Sequence, residues 1–418
     1  MPLTSKLSRP GGWRPLSPTG HHAGLPRWRV VIWGLVALGD ALTLHAQDWV
    51  PVGLRLRDWV SLASSADGNL LVAASNNQTD PGQIYVSTDA GANWTPTTAP
   101  ITNWSAVACS GDGSKLFAAF DNSSPALNGA IYYSLDSGNT WIPSNAPGTN
   151  LWRAIACSAD STKLIAAAAY VALQISRDSG TNWSPTTTPA TNWQAVASSA
   201  DGLKLFALVS GGTIWRSTNG GETWVASSAP AAAWRAAACS VDGSRVVAVA
   251  GPVDSSPVFL SADSGTTWQA AVGASNHWSG VACSADGARL VALGYGPLFT
   301  STDFGANWTL VPVTNAWQAV ASSADGARLA GAAFGVNGDL YTSQQTVPPA
   351  LRLARYGGQM TLSWTIPSRL FVLQHCADLN SAAWQDVTNA VTTNYPSLSE
   401  SVTVNPEEQS RFFRLISR

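Results

Sequence analysis

The sequence predicts an all-β chain: a seven-bladed β-propeller closed by an N-terminal strand, followed by a small β-sandwich. Three observations predict it. A short first-strand motif recurs seven times at intervals of 39 to 48 residues, led by Trp59, Trp104, Trp152, Trp193, Trp234, Trp278 and Trp317, and that is a blade period. An octet typified by STDAGANW (87–94) recurs between these copies, six times in all. Each interval also divides into short alternating runs bounded by Gly and Asx residues, the pattern of strands and turns.

Composition narrows the function classes before any motif is read. Only 11% of the 418 residues are charged and the formal net charge is -2, which suits a β-rich extracellular protein. No Lys/Arg cluster lies beyond residue 30, so the basic footprint that a phosphate backbone requires is missing and nucleic acid is not an expected partner.

In chain order, residues 1–46 read as a signal peptide. Lys6, Arg9, Arg14, Arg27 and Arg29 precede the apolar run VVIWGLVALG (30–39) with no acidic residue before it. A bilayer-spanning helix needs about 20 apolar residues, so this run fits an h-region, and LHAQ offers cleavage after Ala46. Leu44 is bulkier than the Ala usual at its position, which leaves an uncleaved anchor as the alternative. The expected location is secreted or cell-surface, without a stable transmembrane span.

Residues 47–345 form the predicted propeller. In the fourth repeat, TNWQAVASS (191–199), KLFALV (204–209), GGTIWRS (211–217) and TWVASSAP (223–230) are its four strands. The ADG turn joins the first two, with Asp bonding backbone amides and Gly supplying positive φ. The octet joins the last two. Residues two and four after each leading Trp are nearly all Ala, and the third is mostly Val, Ile or Leu, so neighbouring blades are expected to pack a small face against a large one. The seventh repeat ends in DLYTSQQT (339–346) without an octet, whereas QDWVPVG (47–53) carries a Trp ten residues before Trp59, the spacing seen in four of the six octet cases. That segment is expected to supply the missing outer strand and protect an open edge.

The octets resemble the Asp-box, or BNR, repeat, Ser/Thr-x-Asp-x-Gly-x-x-Trp. The matching residues are Ser87, Asp89, Gly91 and Trp94; Ser134, Asp136, Gly138 and Trp141; Ser176, Asp178, Gly180 and Trp183; Ser217, Asn219, Gly221 and Trp224; Ser261, Asp263, Gly265 and Trp268; and Ser301, Asp303, Gly305 and Trp308. Asn219 departs from the pattern, though its amide oxygen accepts the same hydrogen bonds. The resemblance implies a propeller of the sialidase superfamily or of the non-catalytic photosystem II assembly factor type, with the boxes as structural parts. Six copies cannot all be one active site, and a capping carboxylate, a left-handed glycine and a packed indole are parts of a turn.

Sialidases of this repeat family use an arginine triad, a Tyr assisted by Glu and an acid/base Asp. That set cannot be assembled here. Glu222 is the only glutamate between 47 and 345 and lies in a box. Arg177, Arg216, Arg245, Arg289 and Arg328 sit with the boxes and the ADG turns, leaving Arg55, Arg57, Arg153 and Arg235. Xyloglucan-active relatives use paired aspartates, so a glycoside hydrolase drawing two from Asp58, Asp80, Asp121, Asp254 and Asp339 is the enzymatic alternative.

Cys109, Cys157, Cys239 and Cys283 lie five residues after a repeat Trp, where other repeats carry Ser64, Ser198 and Ser322. Exchange with Ser argues for small buried free thiols and against disulfides or a metal site. After a linker (346–349), residues 350–418 read as six or seven short strands, a small β-sandwich resembling a C-terminal module of some secreted bacterial proteins. Cys376 there is an incidental strand residue.

The expected function is therefore a non-enzymatic binding or structural scaffold, monomeric, with no cofactor and no metal. Its ligand is an extracellular protein or a saccharide. Loops from strand four to one and from two to three emerge together in a propeller, and here SNNQTDPGQ (75–83), DNSSPALNG (121–129), GPVDSSP (251–257) and GASNH (273–277) are the irregular ones. Asp58, Asp80, Asp121, Asp254 and His277 are the predicted ligand contacts on that face.

Overall fold

The computed structural model describes residues 48–54, 58–76, 82–121, 130–148, 150–251, 256–334, 338–345, 349–356, 359–367, 371–376, 383–404 and 412–417. The signal-peptide reading of 1–46 lies outside them. The described chain is all-β and antiparallel throughout. None of its helices is long and apolar enough to cross a membrane.

The first repeat sets the pattern. Strands Trp59–Ser64, Leu71–Ser75, Ile84–Ser87 and Thr95–Pro96 follow one another as an antiparallel meander. The ADG turn joins strands one and two with Gly68 at φ 69, while the Asp67 carboxylate accepts from the Ser65 hydroxyl at 2.6 Å and the Asn69 amide at 3.0 Å. The sixth repeat departs from four separate strands. Leu290–Ser301 runs through the positions of its second and third, and Thr309–Ser322 continues from its outer edge into the first strand of the seventh repeat.

The core sits between repeats rather than within one. Ala106 and Ala108 of the second repeat pack with Trp152 and Ile155 of the third, a small face against a large one. The seven leading tryptophans are among the largest fully buried side chains.

First strands meet in order around the molecule: Trp59–Ser64 touches Trp104–Cys109, and so on to Thr309–Ser322, which touches Trp59–Ser64 again. Backbone hydrogen bonds follow the same circuit. Ala66 donates to Gly111, Gly111 to Ala159, Ala159 to Ala200, Ala200 to Val241, Val241 to Ala285, Ala285 to Ala324, and Ala324 back to Ala66, at 2.7 to 2.9 Å. Arg328 likewise reaches across 261 positions to the Asp67 carbonyl at 3.2 Å.

The N-terminal segment pairs with the last repeat, Val50 opposite Thr342 and Pro51 opposite Tyr341. Trp49 is buried with its ring 5.5 Å from that of Trp317. Gly53 N donates to the Asp339 carboxylate at 3.1 Å, and Leu340 N donates to the same carboxylate at 2.8 Å.

Beyond residue 350, two sheets share one apolar cluster. The first orders Arg352–Tyr356, Gln359–Thr365, Ser399–Val404 and Thr392–Asn394; the second orders Gln385–Asp386, Phe371–Cys376 and Phe412–Ser417. Leu362, Trp364, Leu373, Val402 and Phe413 fill the space between. Ile366, Tyr395 and Leu398 pack against Ala66, Val241, Ala285 and Ala324, so this unit covers the end of the channel where the hydrogen-bond circuit runs.

Candidate functional site

Every first strand breaks register at the same place. In the first repeat Trp59 faces Ser75 while Ser61 faces Ala74, so Val60 is an extra residue, and the same shift follows each of the other six leading tryptophans. A bulge of this kind re-aims its extra side chain. The seven bulged residues are Val60, Ser105, Arg153, Gln194, Arg235, Ser279 and Gln318, and all seven line one cavity of about 700 Å³ at the channel mouth.

Two of the bulged serines are committed to the scaffold. The Ser105 hydroxyl donates to Ala119 O at 3.0 Å, and that of Ser279 donates to Trp317 O at 2.5 Å. Gln194, Arg235 and Gln318 have no side-chain partner among the described residues, which leaves them available. Arg153 pairs with Asp121, Nη1 to Oδ2 3.7 Å, with 41% and 20% of the side chains exposed respectively. The other oxygen, Asp121 Oδ1, is buried and has no hydrogen-bond partner among the described residues. Across the mouth, the His277 ring stacks on Tyr295 at 4.8 Å. A Cβ placed on Gly251 would come within 3.2 Å of His277 Cδ2 and 3.7 Å of Arg235 Cγ, so Arg235 and the His277–Tyr295 pair are neighbours.

Of the predicted contacts, Asp121 and His277 line this cavity. Asp58 does not: its carbonyl accepts from Asn76 N at 2.8 Å, and the residue lies half-buried beside the mouth. Asp80 and Asp254 fall outside the described residues, as do Arg55 and Arg57. Asp339 is a correction to the carboxylate-pair reading, because it is buried and holds the amides of Gly53 and Leu340. GASNH is a second correction. Its Ser275 and Asn276 pair with Pro257 and Ser256 within the strand Gln269–Asn276, whereas Gly273, at φ 85, and Ala274 fall in a break of register between Ala270 and Ser275, so only that part of the segment is irregular. Arg235, Gln194, Gln318 and Tyr295 were missing from the predicted contacts. Their signal lies in the sequence all the same: the residue after each leading Trp is Val, Ser, Arg, Gln, Arg, Ser, Gln in a motif otherwise nearly constant.

The octets lie at strand three to four connections and have repeated geometry. Ser87 Oγ donates to Asp89 Oδ1 at 2.8 Å and accepts from Gly91 N at 2.8 Å; Asn93 N donates to Asp89 Oδ1 at 2.8 Å; Trp94 Nε1 donates to Gly91 O at 3.1 Å. The same bonds recur at Ser261, Asp263, Gly265 and Trp268. Asn219 repeats them with its amide oxygen, accepting from Ser217 Oγ at 2.9 Å and Thr223 N at 3.0 Å. At Asp263, slight burial works to raise the carboxyl pKa, but donors from Thr267 and Ser261 outweigh it and hold the value at about 2. At Asp89 the Asn93 amide and side chain lower it too. In every octet the Ser and Asx side chains are bonded within the turn, and in five of the six the Trp indole bonds the Gly carbonyl; Trp308 Nε1 is the exception, buried with no partner among the described residues.

At the opposite end of the channel, Ser64, Cys109, Cys157, Ser198, Cys239, Cys283 and Ser322 surround a second cavity of about 180 Å³, with Leu398 among its walls. The five cysteines are free thiols. The four in the ring are half-buried rather than fully enclosed by packing. Burial nevertheless pushes the thiols of Cys157 and Cys283 up to about 12 and those of Cys109 and Cys239 well above the usual value. Among the described residues, no three His, Cys, Asp or Glu are grouped to hold a metal ion.

No protein-family model matches the chain, and no curated protein matches it in sequence. Solved structures do match in fold. A GH74 enzyme from Niastella koreensis superimposes with a TM-score of 0.55 at 17% identity, over 77% of this chain and 59% of that one. The GH74 xyloglucanase from Xanthomonas campestris gives 0.55 at 16%, over 77% and 60%. A YCF48 structure bound to D1 peptide gives 0.53 at 16%, over 73% and 99%. The chain thus spans about three fifths of the length of the two GH74 enzymes and nearly all of YCF48. The likeness establishes an all-β chain of antiparallel sheets matching β-propeller proteins, a fold shared by enzymes and by a peptide binder.

Proposed function

We propose that this chain is a secreted or cell-surface, monomeric, non-enzymatic binding scaffold. Its ring is a closed, seven-bladed Asp-box propeller completed by the N-terminal strand, with a β-sandwich behind it, and the ligand is an extracellular protein or a saccharide held at the channel mouth. One observation carries the reading: the bulged residue of every repeat lines the 700 Å³ mouth cavity, and these residues are the variable ones of a constant motif. A rigid ring presenting varied side chains is how a scaffold carries recognition. The cavity is of the size that binds small ligands and chain ends. The octets, whose Ser and Asx side chains bond within the turn, serve the turn.

A second reading is favoured by the fold shared with GH74 enzymes and by Asp121 in the cavity: glycoside hydrolysis by two aspartates of this face. It requires a second carboxylate at about 5–10 Å from Asp121. Screening the mature protein against glycan and extracellular-protein arrays, with reducing-sugar release from β-glucans measured in parallel, separates the two. Binding without release supports the scaffold; turnover that Asp121→Asn abolishes establishes the hydrolase instead.

A further inference from the structure

The channel mouth is chemically lopsided in a way that specifies its ligand. The chain as a whole carries a net charge of -2, yet the charged side chains lining this cavity are two arginines and one aspartate. Asp121 is already paired with Arg153, so among the described residues the charge without a counter-ion is the guanidinium of Arg235, a planar fork of donors that matches a carboxylate. Beside it lies His277, which stacks on Tyr295, and Tyr295, 52% exposed, puts an aromatic surface into the same cavity. On the other side the Asp121 side chain, 20% exposed, lines the cavity and brings a carboxylate acceptor within reach of a ligand hydroxyl. The amides of Gln194 and Gln318 provide further donors and acceptors between.

A ligand that satisfies all of these presents a carboxylate to Arg235, a flat C–H face to Tyr295 and hydroxyls to Asp121 and the two amides. Resting on the binding reading above, we infer that the mouth binds an acidic oligosaccharide, one built from uronic-acid residues, with Arg235 as the carboxylate contact and Tyr295 as the stacking platform. A peptide with acidic side chains answers the guanidinium but offers neither the ring face nor an array of hydroxyls.

The test is titration calorimetry on the full chain with short oligomers of polygalacturonate, alginate and hyaluronan. Carboxyl-reduced oligogalacturonide and oligoglutamate serve as controls, and Arg235→Met and Tyr295→Ala are compared with the wild type. At least one uronate oligomer should bind, its carboxyl-reduced form and Arg235→Met should each weaken binding about tenfold or more, Tyr295→Ala should weaken it similarly, and added salt should reduce it. Both variants should melt with the wild type. Equal binding of the carboxyl-reduced oligomer, unchanged affinity in Arg235→Met, or binding of oligoglutamate alone overturns the inference. If no uronate binds but a neutral sugar or a protein from the arrays does, and Arg235→Met or Asp121→Ala abolishes it, the acidic-sugar inference fails while the mouth remains the binding face. If array ligands are insensitive to every mouth substitution, both fail.

Discussion

Aspartates fall into three physical kinds in this molecule, and their mutants should separate accordingly. Asp89, Asp136 and Asp178 are bonded wholly within their octets, so alanine at each should lower the melting temperature, with no direct effect at the mouth. Asp121 has one buried oxygen without a donor among the described residues, so alanine there should leave melting nearly unchanged and weaken ligand binding. Asp339 holds the N-terminal segment and belongs with stability despite its position among the irregular loops. The octet carboxyls also set a pH dependence. Asp263 has a folded pKa of about 2 against an ordinary 3.8, so its stabilising effect is full above the ordinary value and disappears as pH falls towards 2. Melting temperature should therefore decline between about pH 5 and pH 2, and Asp263→Asn should flatten part of that decline. Thiols raised to about 12 at Cys157 and Cys283 should resist a thiolate-selective reagent at neutral pH and react promptly in denaturant. Intact-mass loss corresponding to two disulfides would refute that.

The bulge after each leading Trp is the element that aims the variable residue of a packing motif into the mouth cavity. Strands, turns and the order of repeats were legible because they rest on periodicity: Trp, Ala and Val recur at fixed offsets, and an ADG or octet cannot be read as anything but a turn. The bulges were not legible, since an extra residue in one strand leaves the apolar alternation almost unaltered and is visible only against its partner strand. In sequence, Arg153 and Arg235 therefore read only as two of the four arginines left for a triad. GASNH shows the opposite: its Gly and Asn read as a loop throughout, yet Ser275 and Asn276 pair with Pro257 and Ser256, which is visible only against the partner strand. The N-terminal strand was legible from the ten-residue spacing of Trp49 to Trp59. Its ring packs on Trp317, so Trp49→Ala should cost about 3–5 kcal/mol, and deleting residues 47–53 should lower the melting temperature at least as much. Unchanged melting in the deletion would show that this strand does not help hold the last repeat.

At the scale of the whole molecule, the channel has two unlike ends. One mouth is open, polar and lined by the variable bulged residues. The other narrows through a circuit of backbone hydrogen bonds and is covered by the C-terminal unit through Ile366, Tyr395 and Leu398. This arrangement could not be read from the sequence, because nothing in residues 350–418 marks which face they meet. The open mouth is thus the proposed binding face, and the repeated turns serve stability. The most direct test is an array screen of the wild type beside the Asp121→Ala/His277→Ala double variant and Asp89→Ala, with the melting temperature of each protein recorded. The account predicts that wild-type array signals vanish in the double variant at unchanged melting temperature, and persist in Asp89→Ala below its own lowered one. Signals that survive in the double variant, and are lost in an Asp89→Ala protein of undiminished stability, would contradict it.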